Sequence, residues 1–230
     1  MATQTQQLHF ILFPQMAQGH MIPMIDIARL LAQRGLTVTI VTTPHNTNQF
    51  RAFVTRAIES GLSIRFLELR FPCEEAGLPE GCENLDLLPS MDGASNFFVA
   101  TSMLQQPLEE ELGEMKPKPS CIISDMGFPW TKSEPYVVPG LPDPIELTKA
   151  QLPGFSSSSS SQLKSVGDRI KEAEKAAYGA VVNTFEELEP EYVKEFKNTK
   201  DGKVWCIGLV SLCNKEVLDK AQRVKKRYSL

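Results

Sequence analysis

Two polar residues, His20 and Asp125, have the types needed for acid–base chemistry on a substrate. An imidazole can take a proton from an alcohol near neutral pH, and a carboxylate can fix the imidazole's tautomer by accepting a hydrogen bond from its other nitrogen. Each residue also has a simpler interpretation, His20 as an ordinary loop residue and Asp125 as a helix N-cap. Residue type alone leaves both interpretations open.

The elements around His20 are predicted from hydrophobic spacing. Residues 8–13 form a short apolar run that is typical of a buried parallel strand. Residues 22–33 have helical spacing, with Pro23 suited to the first turn and Gly35 to the C-terminal cap. Thr37–Thr42 is β-branched and predicts a second strand. Strand, helix and strand in this order predict a βαβ unit and a parallel sheet.

The same alternation continues towards Asp125. We predict a helix over residues 46–60, a strand over 63–69, a long loop over 71–93 and a helix over 94–115. Cys121–Ser124 is the fourth strand, and Asp125 follows it directly. Ligands of open α/β sheets bind at the carboxyl ends of the strands. His20 and Asp125 both follow strands, so we expect them at the same edge of the sheet.

We also expect the start of the first helix to influence His20. The partial positive charge of a helix N-terminus disfavours an imidazolium, which predicts a neutral His20 near pH 7. His9 lies inside the first strand and is interpreted as a packing or edge residue, and His45 is given no role.

The second half of the chain has a different character. Residues 132–153 are rich in proline, residues 156–161 are all serine, and the end from Lys215 is rich in Lys and Arg. These stretches predict irregular loops and a solvated tail. Regular elements are predicted as a helix over 166–178, a strand over 180–185, a helix over 186–196 and a strand over 204–210.

Composition limits the classes of function. With 230 residues, the chain has room for one large domain or one and a half at ~150 residues per domain. The net charge of -4 argues against nucleic acid or an anionic membrane as partner. The polar start lacks the features of a secretory signal, and no stretch has the ~20 apolar residues of a membrane span. Five scattered cysteines predict reduced thiols in a cytoplasmic protein without a metal site.

Common nucleotide-binding and hydrolase motifs are absent from the sequence. The loop after the first strand has a single glycine, Gly19, and neither G-x-G-x-x-G nor G-x-x-x-x-G-K-[ST] occurs. The sequence also lacks the G-x-S-x-G nucleophile elbow. A dehydrogenase, a P-loop enzyme and an α/β-hydrolase are therefore disfavoured.

Several segments resemble plant family-1 UDP-glycosyltransferases. They are FPQMAQGHMIPMIDIARLLAQRGLTVTIVTTPHN at 13–46, CIISDMGFPWT at 121–131, YVVPGLPD at 136–143, QLPGF at 151–155, YGAVVNTFEELEPEYV at 178–193 and KVWCIGLVSLCNK at 203–215. They cover most of the chain, in the order that the family has them. The chain is thereby identified as similar to the N-terminal half of these enzymes.

The resemblance implies a two-domain GT-B fold in which two Rossmann-like domains face each other. Residues 1–210 would be the acceptor-binding N-terminal domain, and residues 211–230 the start of the interdomain linker. His20 would be the general base and Asp125 its orienting partner. The activated oxygen would attack the sugar, expected to be glucose, with inversion. UDP-sugar would be a co-substrate, with no cofactor and no metal, and the protein would act as a monomer.

The resemblance also suggests which residues contact the acceptor, a lipophilic molecule such as a flavonoid, a terpenoid or a hormone. Gly19 would allow the ligand to approach the backbone closely. Met91, Phe97 and Phe128 are apolar candidates from the long loop, the next helix and the end of the fourth strand. Ordinary core packing is the alternative for each of the three.

Two departures from the family pattern limit what this chain is expected to do alone. We expect this chain to lack the C-terminal donor domain, because no histidine follows His45 and the two tryptophans, Trp130 and Trp205, do not lie in a donor-binding box. The sequence also passes from Trp130 to Tyr136 where the family has a further helix, strand and helix. The chain is therefore expected to be inactive and poorly stable by itself. The alternative function is a non-catalytic acceptor-binding fragment or a pseudoenzyme remnant.

Overall fold

The computed structural model describes residues 8–125 and 175–213, together with residues 136–137, 146–147 and 172. The chain divides into two compact units, residues 1–125 with 211–230, and residues 126–210. The segment predicted as one domain, 1–210, therefore contains a division after Asp125. This division lies close to the position at which the sequence departs from the family pattern.

The first unit is built on a parallel sheet of four strands. These are β1 (His9–Phe13), β2 (Thr37–Thr42), β3 (Ile64–Glu68) and β4 (Cys121–Ser124). Their order is β3-β2-β1-β4, and every neighbouring pair is parallel. The prediction of a Rossmann-like parallel sheet with flanking helices is confirmed, and β4 agrees with its predicted bounds.

Helices α1 (Gln18–Gln33) and α2 (Pro44–Glu59) connect the first three strands. Helix α1 buries an apolar face that includes Met21, Ile25 and Ala28. It begins four residues earlier than predicted, so Pro23 lies inside the helix rather than in its first turn. Proline has no amide hydrogen, so residue 23 cannot donate to a carbonyl one turn earlier, yet the helix continues through it.

The helix predicted over residues 94–115 is divided in two. Helix α3 (Ala94–Met103) ends at Leu104, and α4 (Gln105–Glu114) begins directly after it. Pro107 explains the division, because its ring conflicts with the carbonyl of Met103 in a continuous helix. The long loop 71–93 contains two 3-10 turns, Leu85–Leu87 and Met91–Gly93.

The core of the first unit lies on both sides of β1 and β2. Five of the six β2 residues are buried, and Ile11 and Leu12 of β1 are fully buried. His9 is buried in β1, where Nδ1 lies 3.0 Å from the Pro117 carbonyl oxygen and Nε2 lies 2.8 Å from the Thr39 hydroxyl. Arg65 Nε donates to the same hydroxyl at 2.8 Å. His9 therefore joins a buried polar network across three strands.

The second unit contains two small sheets among its described residues. β5 (Tyr136–Val137) pairs antiparallel with β6 (Glu146–Leu147). β7 (Ala180–Val182) pairs in parallel with β8 (Val204–Cys206), and helix α5 (Pro190–Thr199) lies between them in sequence. The strands predicted over 180–185 and 204–210 are thus present but shorter.

The bounds of α5 differ from the predicted helix over 186–196. The helix begins at Pro190, whose fixed φ suits the first helical position. Before it, the Thr184 hydroxyl donates to the Glu189 carboxylate at 2.5 Å, and Lys197 on the helix pairs with Glu186. The irregular loop predicted over 132–153 contains β5 and β6, which the prediction missed. The rest of that stretch, the serine run, most of the predicted helix over 166–178 and the basic tail lie outside the described residues.

Candidate active site

The strand order places the candidate site at a change of direction in the sheet. From β1 the chain continues through α1 to β2 on one side, whereas β4 lies on the other side of β1. In open α/β sheets, the crevice at the carboxyl ends of such neighbouring strands is the usual ligand site. The loop after β1 leads to His20, and β4 leads directly to Asp125.

The structure brings the two predicted residues into contact. His20 Nδ1 lies 3.0 Å from Asp125 Oδ2. The same carboxylate oxygen accepts a hydrogen bond from the backbone N–H of Gln15 at 3.2 Å, and the backbone N–H of Asp125 donates to the Phe13 carbonyl at 3.0 Å. The backbone and the carboxylate of Asp125 are therefore both bonded to the end of β1 and the loop after it, in a position where the carboxylate can orient the imidazole.

This hydrogen bond determines which nitrogen of His20 can act as a base. A carboxylate oxygen accepts, so Nδ1 carries the hydrogen and donates. In the neutral ring the free lone pair then lies on Nε2, which is the nitrogen able to take a proton. The His20 side chain is 45% exposed, so a substrate hydroxyl has access to the ring.

The pKa of His20 is raised above its ordinary value. The hydrogen bond to Asp125 is the largest cause; partial burial acts in the opposite direction, and the negative charges of Asp125 and Asp86 add to the increase. The sequence predicted a shift in the opposite direction, from the helix N-terminus, because the carboxylates beside the ring are not visible in the sequence. A raised pKa makes His20 a stronger base whenever it is deprotonated.

Sequence reasoning missed two contributors to this site. The backbone of Gln15 binds Asp125, and the Asp86 carboxylate accepts a hydrogen bond from the backbone N–H of Gln18 at 2.7 Å. Helix α1 has no acidic residue in its first turn and no side-chain cap of its own. That absence was the one feature of the sequence that could have indicated a cap supplied from elsewhere in the chain.

The acceptor candidates occupy different environments. Gly19 lies in the first turn of α1, and a Cβ placed there meets no other atom within 4 Å. Met91 lies in the second 3-10 turn and is 64% exposed. Phe97 is fully buried, with its ring centroid 5.0 Å from that of Phe71, which is the packing role considered as its alternative. Phe128 lies outside the described residues.

Within residues 8–125, 175–213 and the short described stretches, no three His, Cys, Asp or Glu side chains are grouped to hold a metal ion. Cys73 and Cys82 are buried free thiols, and burial raises the pKa of both. In the same part of the chain, none of the helices has the length and apolar character needed to cross a bilayer.

Comparison with curated proteins gives a consistent group of relatives. The chain is 48% identical over 261 residues to UDP-glycosyltransferase 73E1 of Stevia rebaudiana, a match covering 95% of this chain and 53% of that protein. It is 48% identical over 259 residues to UDP-glycosyltransferase 73C3 of Arabidopsis thaliana, covering 95% and 52%. The chain thus spans about half the length of the curated relatives it matches. No protein-family model matches it.

Solved structures give the same result for the fold. The chain is similar to UGT73P12 of Glycyrrhiza uralensis, complexed with glycyrrhetinic acid 3-O-monoglucuronide, with a TM-score of 0.75 and 27% identity over 95% of this chain and 52% of that one. Arabidopsis thaliana UGT89C1, complexed with UDP-L-rhamnose, has a TM-score of 0.62 and 24% identity over 90% and 53%. At that identity the second likeness concerns the fold alone.

Proposed function

Because the chain belongs to the plant UDP-glycosyltransferase family, we propose that it supplies the acceptor-binding half of an enzyme that transfers a sugar from a UDP-sugar to a hydroxyl group. The single observation that carries this proposal is the hydrogen bond of 3.0 Å between His20 and Asp125. It lies at the switch point of the sheet, where a ligand of this fold class binds.

The proposed mechanism uses His20 as general base. Nε2 takes the proton of the acceptor hydroxyl while the oxygen attacks the anomeric carbon of the sugar. The bond from that carbon to the diphosphate breaks on the opposite face, so the configuration inverts and UDP leaves. Asp125 holds the ring through Nδ1 and stabilises the imidazolium that forms. Glucose as the sugar and the absence of a cofactor and of a catalytic metal remain predictions from the family resemblance.

For the acceptor we propose a lipophilic plant metabolite of the flavonoid or terpenoid type. The structure of UGT73P12, to which the chain is similar, contains a glycyrrhetinic acid glycoside, and this supports the terpenoid alternative. Open space in front of Gly19 and the exposed side chain of Met91 suit contact with such a ligand. Phe128 and Phe97 are retained as contacts from the resemblance alone, with core packing against Phe71 as the alternative for the fully buried Phe97.

We propose that the chain by itself is inactive, because transfer requires both substrates to be held together. The alternative function is a non-catalytic acceptor-binding protein, and the observation that favours it is that the match covers only about half of each relative. Five free cysteines support a reducing compartment such as the cytoplasm as its location, and we propose that it is a monomer there.

The proposed function can be tested by completing the enzyme. The chain would be joined to the missing internal segment and the C-terminal half of the Stevia rebaudiana relative, and transfer from UDP-glucose to a panel of triterpenoids and flavonols would be measured. We expect transfer by this chimera and none by the chain alone. His20→Ala should lower kcat by roughly 10²–10⁴-fold, the usual contribution of a general base.

The neighbouring position provides a matched control. Gly19→Ala adds a methyl group that meets no protein atom, so folding should be unchanged. If the acceptor lies against this turn, the variant should raise KM with little effect on kcat, whereas His20→Ala should act on kcat. A chimera whose activity survives His20→Ala would contradict the proposed role of the base. Acceptor binding by the chain without transfer by the chimera would favour the non-catalytic alternative.

A further inference from the structure

The two helices beside the candidate site begin without caps of their own. Neither α1 nor α2 has a side chain at its N-cap that accepts from the first turn, and neither has an acidic residue in that turn. Unpaired N–H groups at a helix start need an acceptor, and a carboxylate is the most favourable one because it also complements the helix dipole. The caps must therefore come from another part of the chain or from solvent.

One segment of the long loop caps both helices. Within residues 83–86, here called the capping segment, the Asp86 carboxylate accepts from the backbone N–H of Gln18 at 2.7 Å. The Glu83 carboxylate accepts from the backbone N–H of His45, in the first turn of α2, at 2.9 Å. Two carboxylates three residues apart in the sequence thus cap the two helices that follow β1 and β2.

The capping segment is fixed from within by buried amides. Asn84 is buried, and its side-chain amide donates to Asn46 Oδ1 at 2.7 Å, while Asn46 Nδ2 donates to the Glu83 carbonyl at 3.1 Å. The backbone N–H of Leu85 donates to the Met16 carbonyl, in the loop after β1, at 2.7 Å. These bonds join the segment to α2 and to the β1–α1 loop, so Asp86 has a defined place at the start of α1.

Asp86 is connected to the proposed base through one turn of helix. Gln18, which it caps, is the first residue of α1, and His20 is the third. Two carboxylates raise the pKa of His20: Asp125 does so through its hydrogen bond and its charge, and Asp86 through its charge. The two carboxylates come from β4 and from the long loop.

We propose that Asp86 is a positioning residue for His20. Its carboxylate holds the first turn of α1 in place, which keeps the His20 ring against Asp125, and its negative charge favours the imidazolium formed when the base takes a proton. This inference rests on the proposed function of His20. It gives a reason for the length of the 71–93 loop, which must reach from β3 back to the starts of both helices.

The inference can be tested by NMR titration of the 230-residue chain, which has three histidines, so each imidazole can be followed separately and assigned with His20→Gln. Asp86→Asn keeps an acceptor oxygen for Gln18 but removes the charge, and should lower the pKa of His20. Asp86→Ala also removes the cap, so it should lower the pKa further and increase amide exchange at Gln18. Asp125→Asn should cause the largest decrease, because Asp125 is the direct partner.

Glu83→Gln is the matched control, since it neutralises the other capping carboxylate in the same segment. It should leave the titration of His20 unchanged. If Asp86→Asn and Asp86→Ala both titrate like the parent chain, or if Glu83→Gln lowers the pKa of His20 equally, the inference is wrong. Should Asp86→Ala not fold, Asp86→Asn alone decides: an unchanged titration of His20 in that variant would contradict the inference.

This titration requires neither sugar donor nor acceptor. A chimera without transferase activity would therefore contradict the proposed function while leaving the link between Asp86 and His20 open to measurement. Conversely, an active chimera with an unchanged titration in every Asp86 variant would reject this inference and leave the general base in place.

Discussion

Each unit contains a pair of parallel strands, β1 with β2 in the first and β7 with β8 in the second, and the two pairs differ in how well they are shielded from solvent. In the first unit, β2 is buried at five of six positions. In the second, Val181 of β7 and Trp205 of β8 are register partners and both are exposed, Trp205 to 47%. Parallel strands normally have both faces covered by helices. Among the residues that the structure describes, this pair therefore has the composition of a core strand but lacks its cover.

The same contrast exists inside the first unit. Strand β1 has β2 on one side and β4 on the other, and its central residues are fully buried, whereas Ile122 in β4 is 51% exposed. Strand β4, which precedes the departure from the family pattern, has no buried residue among its four. This supports the proposal that a segment is missing near residues 131–135, and the candidate site lies between the well-covered β1 and the less covered β4.

The largest predicted loss of stability comes from truncating a large aromatic side chain, and one such side chain can be compared in each unit. Phe97→Ala removes a fully buried ring from the first unit and should cost about 3–5 kcal/mol of unfolding free energy. Trp205→Ala removes a half-exposed ring and should cost much less, about 1–2 kcal/mol. Urea titrations followed by far-UV circular dichroism would measure both.

Equal costs for the two variants would contradict the comparison. A small cost for Phe97→Ala alone would favour the other interpretation of this residue, as part of the wall of an acceptor pocket rather than of the core. Trp205 has one local contact that complicates its variant, a stacked arrangement with Tyr178 at a centroid distance of 6.2 Å. Tyr178→Ala is therefore the appropriate companion variant, and it should cost less than Trp205→Ala.

Restoring the segment that we propose to be missing should have a somewhat smaller effect on stability. The alignment with the Stevia relative runs over 261 positions but takes in 95% of the 230 residues here, so about 40 positions lack a counterpart, close to the roughly 30 or more residues of a βαβ unit. Inserting that segment after Thr131 should cover Ile122, Val181 and Trp205. Full burial of one such side chain contributes ~1.5–3 kcal/mol, and these three are already about half buried. We therefore expect the insertion to add about 2–4 kcal/mol to the unfolding free energy.

A thermal melt of the chain with and without the insertion would measure this gain. A scrambled insertion of equal length and composition is the control, because it adds residues without the pattern of a strand and helix. A highly cooperative transition well above room temperature in the uninserted chain, unchanged by the insertion, would contradict the proposal of a missing structural piece.

The sequence predicted the sheet of the first unit well because its strands and helices have clear periodicity. The bounds of β2 and β4 were predicted correctly. The contact between His20 and Asp125 was predictable because both residues follow the carboxyl ends of strands in one parallel sheet. Pro107 was present to predict the division of α3 from α4, but the hydrophobic pattern runs through it. In that case a local steric effect outweighed periodicity.

The remaining parts of the site depend on contacts that no local pattern contains. Asp86 caps a helix that begins 68 residues earlier in the chain, and Gln15 contributes a backbone group rather than a side chain. The raised pKa of His20 was predicted with the wrong sign for the same reason. The helix N-terminus is visible in the sequence, whereas the two carboxylates beside the ring become apparent only after folding.

The smallest expected effect is a pH dependence of stability that distinguishes the site from the rest of the sheet. A histidine whose folded pKa is raised stabilises the fold at pH values below its unfolded pKa of about 6.5, and this contribution is lost as the pH rises through the folded pKa. Asp125→Asn should therefore lower the unfolding free energy of the chain, and this loss should be larger at pH 5.5 than at pH 9. Because His20 is 45% exposed, the difference should stay below about 1 kcal/mol.

Urea titrations of both proteins from pH 5 to pH 9 would measure this difference. In a His20→Gln background, the difference should no longer depend on pH. His45→Gln, a second histidine at the start of a helix, is the matched control, and the difference between the chain and Asp125→Asn should persist in its background. A difference that stays constant with pH would mean that Asp125 stabilises the fold through the hydrogen bond that its carboxylate accepts from the Gln15 backbone N–H rather than through an imidazolium. The carboxylate would then be a structural cap of the β1–α1 loop, and the case for His20 as the base would lose its electrostatic support.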